Sequence, residues 1–301
     1  MKNKFKGISA LLLATAIWGS SFVAQSVGMD HIGPFTFQAI RCFFAVVGLL
    51  PVILISDGIK RKKAVPVHRW NDRTLWKAGF LCGVPLFLAS NLQQLGLCDT
   101  DAGKSAFLTA MYIVFVPILG LLLKKKLPVI IPFSALLAVC GLYFLCCVEV
   151  TSIRPGDLML LGCALMFAVQ ILFVDRFAES LDPLKLNLLQ CLVCSALSGI
   201  LVLFVEAPTW QGIFQCILPL SYAGFLSMGL AFSLQIIGQK YLEPAGASLL
   251  MSLESVFAVL AAWLLLGDLM TVWESIGCVL VFLAVILSQI PDKAFKKCLE
   301  S

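Results

Sequence analysis

Charge is what this chain has least of. Of its 301 residues only 13% are Asp, Glu, Lys or Arg, whereas 60% are hydrophobic, and the mean hydropathy is +0.98. Water-soluble domains carry about 25% charged residues, and surface area grows too quickly with mass for so few charges to cover a soluble fold. A soluble enzyme, a disordered chain and a disulfide-rich secreted module are therefore excluded; the solvent is mostly lipid. Histidine is also scarce. His31 and His68 fall in loops on opposite sides, so no histidine cluster is available for a metal. The chain has no Gly-x-x-x-x-Gly-Lys-[Ser/Thr] loop and so no ATPase of its own, and no Ser-His-Asp set lies within the membrane. No catalytic residue, metal or cofactor is expected. Cysteine is plentiful, but Cys42, Cys82, Cys140, Cys163, Cys191, Cys194 and Cys278 lie inside apolar runs, where they pack as small hydrophobes. Cys191 and Cys194 have redox or zinc spacing, yet no histidine or second pair is near, which favours packing. Cys146 and Cys147 end a helix and are candidates for oxidation.

What is present is long apolar runs. A span needs about 20 such residues, and ten candidates can be marked: 7–25, 35–55, 76–95, 105–123, 128–146, 156–177, 183–204, 213–237, 245–266 and 271–289. Backbone groups must pair inside the bilayer, so these are helices or barrel strands; continuous apolarity without alternation excludes a barrel. The start imitates a signal peptide, with basic residues ahead of an apolar run and Ala14-Thr-Ala16 resembling a cleavage site. The run continues to Val27, however, and nine more spans follow, which predicts an uncleaved first span. Connections are too short for a soluble domain.

Basic residues set the orientation. With the N-terminus in the cytoplasm, nineteen of the 22 lysines and arginines fall inside, in segments 2–6, 60–77, 124–126, 176–185, 240 and 293–297. Lys104 and Arg154 fall outside, and Arg41 lies within a span. This predicts a multi-pass protein of the plasma (inner) membrane with both termini cytoplasmic. The net charge of +5 then faces anionic lipid rather than nucleic acid.

The chain also repeats itself. Residues 101–109 resemble 244–252 at an ungapped offset of 143, which matches Ser105 to Ser248, Thr109 to Ser252, Tyr112 to Ser255 and Leu121-Leu-Leu123 to Leu264-Leu-Leu266. Pro34 precedes Arg41 by seven, as Pro183 precedes Gln190. Each half holds five spans, an odd number, so the second enters the membrane from the opposite side. Inverted repeats of this kind place a transporter's substrate site between the halves near the midplane.

The residues Trp18-Gly-Ser-Ser-Phe22, Pro34 through Arg41, and Glu254 followed by Leu264-Leu-Leu-Gly-Asp268 and Gly277 resemble the EamA family of the drug/metabolite transporter superfamily. The resemblance covers nearly the whole chain. It departs in two places: Glu254-Ser255 stands where the family often has Glu-Pro, and Gly267-Asp268 where it usually has Gly-Glu. It implies ten helices around a central cavity, as a first repeat over 7–148 and a second over 156–290, with export of metabolites or amino acids common.

Glu254 lies nine residues into its span, about 14 Å by helical rise, near the middle of a core about 30 Å thick. A bare carboxylate there is costly, so a proton, a partner or water has to offset it. It is either a coupling or substrate-contacting group, or a structural partner for Arg41. Arg41 lies about 9 Å deep and needs an acceptor unless it snorkels; a structural role is favoured. Lys104 is expected to snorkel at a span end. Ser105, Thr109 and Tyr112 share one helical face, and Ser248, Ser252 and Ser255 repeat it; these faces either line the cavity or glue helices together. Glu254 lies about 120° round from the Ser252 face, so both cannot point squarely at one solute. Asn91, Gln93, Gln94, Gln235 and Gln239 suit a polar or zwitterionic solute at either mouth of a cavity, or cap helices. Trp18, with Ser21 and Gln25, forms a further stripe that can stack on a solute or simply pack.

The composite expectation is an all-α secondary carrier of ten transmembrane helices in two five-helix inverted-topology repeats, working by alternating access. Its partners are a small polar solute, exported, and membrane lipid. A homodimer is compatible with this layout. The alternatives are a flippase for lipid or lipid-linked sugar in the same superfamily, and a membrane-embedded enzyme, disfavoured because no nucleophile or metal set is found.

Overall fold

Apolar runs that leave water must satisfy their own backbone, and helices do so locally. The computed structural model describes residues 2–100, 102–125, 127–146, 154–266 and 271–290. Asp101, Lys126, Cys147, Gly267, Asp268, Lys293, Lys296 and Lys297 lie outside them. The helices are α1 (Lys2–Met29), α2 (Pro34–Lys62), α3 (Arg73–Leu97), α4 (Ala102–Ala110), α5 (Tyr112–Leu122), α6 (Ile130–Cys146), α7 (Pro155–Ala178) and α8 (Pro183–Val205). After these come α9 (Trp210–Gln215), α10 (Ile217–Ser221), a π-helix (Tyr222–Ala231), α11 (Phe232–Gln239), α12 (Pro244–Met251), α13 (Leu253–Leu266) and α14 (Val272–Ser288). Among the described residues eight helical stretches are long and apolar enough to cross a membrane, and two shorter apolar helices accompany them. This is an all-α, multi-pass membrane protein.

Packing follows the two-fold relation of the halves. The helices of spans five and ten, α6 and α14, lie against each other, as do those of spans two and seven, α2 and α8. The contact of α1 with α13 is mirrored by that of α7 with α4 and α5, and the contact of α3 with α7 by that of the π-helix and α11 with α1. Glycine permits the closest of these approaches. A Cβ on Gly277 of α14 would lie 2.6 Å from the Gly141 carbonyl oxygen of α6, and one on Gly19 of α1 would lie 2.7 Å from the Glu254 carbonyl oxygen of α13.

Charged side chains fasten the helix ends. At one end Lys60 meets Asp182 at 2.5 Å, Lys185 reaches Asp57 at 2.7 Å and the His68 carbonyl at 2.5 Å, and Lys125 pairs with Asp175. Burial opposes ionisation of the Asp182 carboxyl, but Lys60 and the backbone N–H groups of Lys185 and Leu184 outweigh it and hold its pKa below the ordinary carboxylate value. At the other end Glu206 accepts from the Phe35 and Thr36 backbone N–H groups at 2.9 and 2.8 Å, capping α2. There Lys104, expected to snorkel alone, is paired with Asp157 at 2.5 Å.

Three spans carry local breaks in regular α-helical winding, although each runs on as one helical stretch. Span four divides at Met111, where Met111 N–H donates to the Leu108 carbonyl in a tightened turn. Span nine divides at Ser252. There the Ser248 and Ser252 hydroxyls donate to the carbonyls of Ala245 and Leu249, three residues back, at 2.8 and 2.7 Å. Such side-chain competition for backbone acceptors bends helices. Span eight carries a ten-residue π-helix between α10 and α11; the wider winding disturbs the ordinary carbonyl partners at its end. Asn187 of α8 donates to two of these carbonyls, Met228 and Gly229, at 3.0 and 2.8 Å.

Candidate functional site

The breaks converge on one cavity. Its walls come from α1 (Trp18, Phe22, Gln25), α2 (Arg41), α3 (Ser90, Gln93), α4 and α5 (Thr109, Tyr112), α7 (Phe167, Ile171), the π-helix and α11 (Ser227, Met228, Phe232, Gln235), and α12 and α13 (Met251, Glu254). Both halves contribute. The cavity volume is about 50 Å³, room for roughly three to five waters at about 10–15 Å³ each. A solute larger than that requires the walls to part.

A buried guanidinium and a buried carboxyl face this space without pairing with each other. Arg41 is only 2% exposed. Its Nε donates to Gln38 Oε1 at 2.6 Å and its Nη1 to Gln25 Oε1 at 2.5 Å. Gln94 completes the cluster, its amide group lying against both the guanidinium and the Gln25 side chain. The cradle is made of neutral amides; among the described residues Arg41 has no carboxylate partner. Arg41 therefore does not snorkel, and it is not the structural partner of Glu254.

Glu254 sits in the first turn of α13, created by the break at Ser252. Unpaired N–H groups at a helix start favour an acidic side chain there. Its other support is the Tyr112 hydroxyl, which donates to Oε1 at 2.9 Å. Tyr112 is itself the first residue of α5, after the break at Met111. One hydrogen bond thus joins these two irregular spans, one from each half.

The remaining polar wall is partly unpartnered. Trp18 Nε1, Thr109 Oγ1 and Gln235 Oε1 are buried without a hydrogen-bond partner. From Gln235 an amide chain runs outward: Gln235 Nε2 donates to Gln170 at 3.1 Å, Gln170 to Gln190 at 3.1 Å, and Gln190 to Asn187 at 2.8 Å. The chain ties α11 to α7 and α8. The Trp18 ring meets Phe232 edge-on, with centroids 4.9 Å apart.

A second cavity, about 470 Å³, opens beyond α5, α7 and α11. Its wall residues Val116, Asp175 and Gln239 lie four positions past Tyr112, Ile171 and Gln235 of the central cavity, about 6 Å along each helix. Gln239 spans the division between them, its Nε2 donating to the Ile171 carbonyl at 2.9 Å. The larger cavity is thus a vestibule stacked on the smaller one.

A profile described as the EamA-like transporter family matches residues 5–147 and again residues 154–289. The chain belongs to this family. An uncharacterized transporter of Archaeoglobus fulgidus is 30% identical over 278 residues, 92% of this chain and 83% of the relative. The uncharacterized transporter YoaV of Bacillus subtilis is 23% identical over 289 residues, 94% of this chain and 96% of that protein. A solved structure titled only as a crystal structure of a protein superposes with a TM-score of 0.70 at 22% identity, over 97% of this chain and 99% of that one; it supports the fold alone. As an EamA member with relatives named as transporters, the protein is a membrane transporter.

Eight of the residues singled out from sequence reach the central cavity: Trp18, Gln25, Arg41, Gln93, Thr109, Tyr112, Gln235 and Glu254. Gln94 stands one layer back, against Arg41. The serines stand apart from this cavity. Ser105, Ser248 and Ser252 donate within their own segment, to the Thr100, Ala245 and Leu249 carbonyls, and Ser255 donates across to the Ala106 carbonyl at 3.4 Å. They hold helices in place rather than face the cavity, because the break at Ser252 turns Met251 and Glu254 inward in their stead. Thr109 and Ser252, equivalent in the repeat, should therefore respond differently. Thr109→Val is expected to weaken solute affinity while melting stays near wild type, whereas Ser252→Trp should lower melting temperature and transport together. Equal stability with unchanged affinity in both variants would contradict this division. Gln170, Asn187 and Ser227 belong to the same polar lining and network without any motif in the sequence to mark them, beyond being polar residues inside apolar spans.

Proposed function

We propose that the protein is a secondary carrier that exports a small zwitterionic solute such as an amino acid by alternating access. The observation that carries this is that the Arg41 guanidinium and the Glu254 carboxyl line one cavity and neither has an ion-pair partner among the described residues; in the proposed complex both are charged. A solute with a carboxylate and an ammonium group supplies both missing counter-charges at once. Arg41 offers its planar donor fork to the carboxylate. Glu254 and the unpaired Gln235 oxygen accept from the ammonium, and the Trp18 and Phe232 rings pack against the remainder. A neutral solute leaves both buried charges uncompensated, which favours zwitterions over uncharged solutes of the same size. The two halves rock about this site, and the vestibule beside α5, α7 and α11 is the route from the cytoplasm. Counterflow in proteoliposomes loaded with a panel of amino acids, their N-acetyl forms and their carboxamides tests the reading: at least one free amino acid should exchange, and its two singly charged derivatives should not. Exchange of the derivatives at equal rates would sink it.

We further place the protein in the plasma membrane with both termini in the cytoplasm. The basic-residue bias supports this: Lys60, Lys125 and Lys185 gather at one end with the vestibule. In a background without native cysteines, an impermeant thiol reagent on intact cells should label a cysteine at Ala207 and spare one at Lys62. The opposite pattern would invert the topology.

A further inference from the structure

A third cavity lies on the flank of the bundle, apart from the central site, between the start of α3 and the end of α7. Its volume is about 490 Å³. Three cations stand at its rim: Arg73 and Lys77, one turn apart on α3, and Arg176 in the last turn of α7. All three are exposed. Among the described residues none of them meets a carboxylate; three nearby acids are engaged elsewhere, and the single further one, Glu179 at the end of α7, leaves the rim net cationic. Asp72 caps α3 by accepting from the Thr74 N–H at 2.8 Å, Asp175 pairs with Lys125, and Asp182 with Lys60.

The deeper wall is apolar. Leu81 lies one turn further along α3 than Lys77, and Phe173 nearly one turn before Arg176 on α7, each about 5–6 Å nearer the bilayer middle. Trp76, 51% exposed on the same turn of α3, donates its indole N–H to the Trp70 carbonyl at 2.6 Å. Exposed tryptophans of this kind mark headgroup depth. Read along the membrane normal, the groove is cationic at headgroup level and apolar where acyl chains begin.

We infer that this groove is a binding site for an anionic phospholipid, its phosphate held by Arg73, Lys77 and Arg176 and an acyl chain laid along Leu81 and Phe173. Charge complementarity decides for a lipid acid over a zwitterionic lipid: three uncompensated cations around one groove attract a net negative headgroup, and basic pockets between spans bind such headgroups. Because α3 belongs to the first half and α7 to the second, the bound lipid bridges the two repeats.

Native mass spectrometry of the purified full chain, titrated with dioleoyl-phosphatidylglycerol or dioleoyl-phosphatidylcholine, tests the site. The wild type should retain one phosphatidylglycerol in preference to phosphatidylcholine, and Arg73→Gln/Lys77→Gln/Arg176→Gln should lower that affinity roughly tenfold to a hundredfold. Arg61→Gln/Lys62→Gln/Lys63→Gln removes the same charge from the adjoining exposed segment and should leave the affinity unchanged. If the first triple variant does not melt cooperatively, Arg176→Gln alone is compared with the same control, and an unchanged affinity there overturns the proposal. Equal losses in both triple variants would show diffuse surface charge, equal binding of phosphatidylcholine an apolar crevice, and displacement by millimolar inorganic phosphate a soluble-anion site. Each of these outcomes contradicts a lipid site.

Discussion

Arg41→Gln is expected to reduce transport of a zwitterionic solute by about a hundredfold, because a charged hydrogen bond is worth about 1.5–3 kcal/mol and tenfold costs about 1.4. Part of the effect is structural. The Gln25 and Gln38 oxygens that cradle the guanidinium lose their donors, and a buried acceptor left bare costs about 1–3 kcal/mol. The melting temperature should therefore fall as well. Arg41→Lys separates the two contributions: it keeps the charge but loses the planar fork, so some transport should return while the amides remain unevenly satisfied. Uptake kinetics and melting curves on the same purified proteins make the comparison. Arg41→Gln with wild-type uptake would show that the cation has no part in solute recognition.

Glu254→Gln is expected to abolish uptake driven by a pH gradient while solute exchange persists at a raised KM. The glutamine oxygen can still accept from Tyr112, whose bond to Glu254 spans 2.9 Å, so the junction of the two broken helices is kept. What disappears is a group that can carry either a proton or the solute's ammonium, and sharing one carboxyl between the two is the simplest coupling available here. Tyr112→Phe is the complementary change: it removes the bond and keeps the carboxyl, so the response to pH should survive with altered affinity. Normal pH-driven transport by a folded Glu254→Gln protein would end the coupling role. A Glu254→Gln protein that fails to fold would make the Tyr112 bond a structural one.

The legibility of this protein in its sequence follows a physical divide. Spans, class and the two-fold repeat announce themselves because lipid imposes long apolar runs and because the offset of 143 holds without gaps. Arg41 and Glu254 stand out for the same reason: a charge inside such a run must be explained. What the chain hides is rotation about the helix axis. Face arithmetic on an unbroken helix groups Ser248, Ser252 and Ser255 with Ser105, Thr109 and Tyr112. Breaks at Met111 and Ser252 shift the phase, and Tyr112 meets Glu254, one position off its repeat equivalent Ser255. The serines that make the face attractive are the ones whose hydroxyls take backbone carbonyls at the break. The π-helix is equally silent in sequence; no glycine or proline spacing there predicts ten residues of wider winding, and the amide chain through Gln170 and Gln190 depends on where that winding leaves Gln235.

The central claim is that Arg41 reads a carboxylate and Glu254 an ammonium group within one cavity. Inhibition constants for an exchanging amino acid, its carboxamide and its N-acetyl form, measured against wild type, Arg41→Gln and Glu254→Gln, test it most directly. Arg41→Gln should weaken the amino acid and the N-acetyl form and leave the carboxamide unchanged. Glu254→Gln should weaken the amino acid and the carboxamide and leave the N-acetyl form unchanged. Loss by one common factor for all three ligands in both variants would contradict the account.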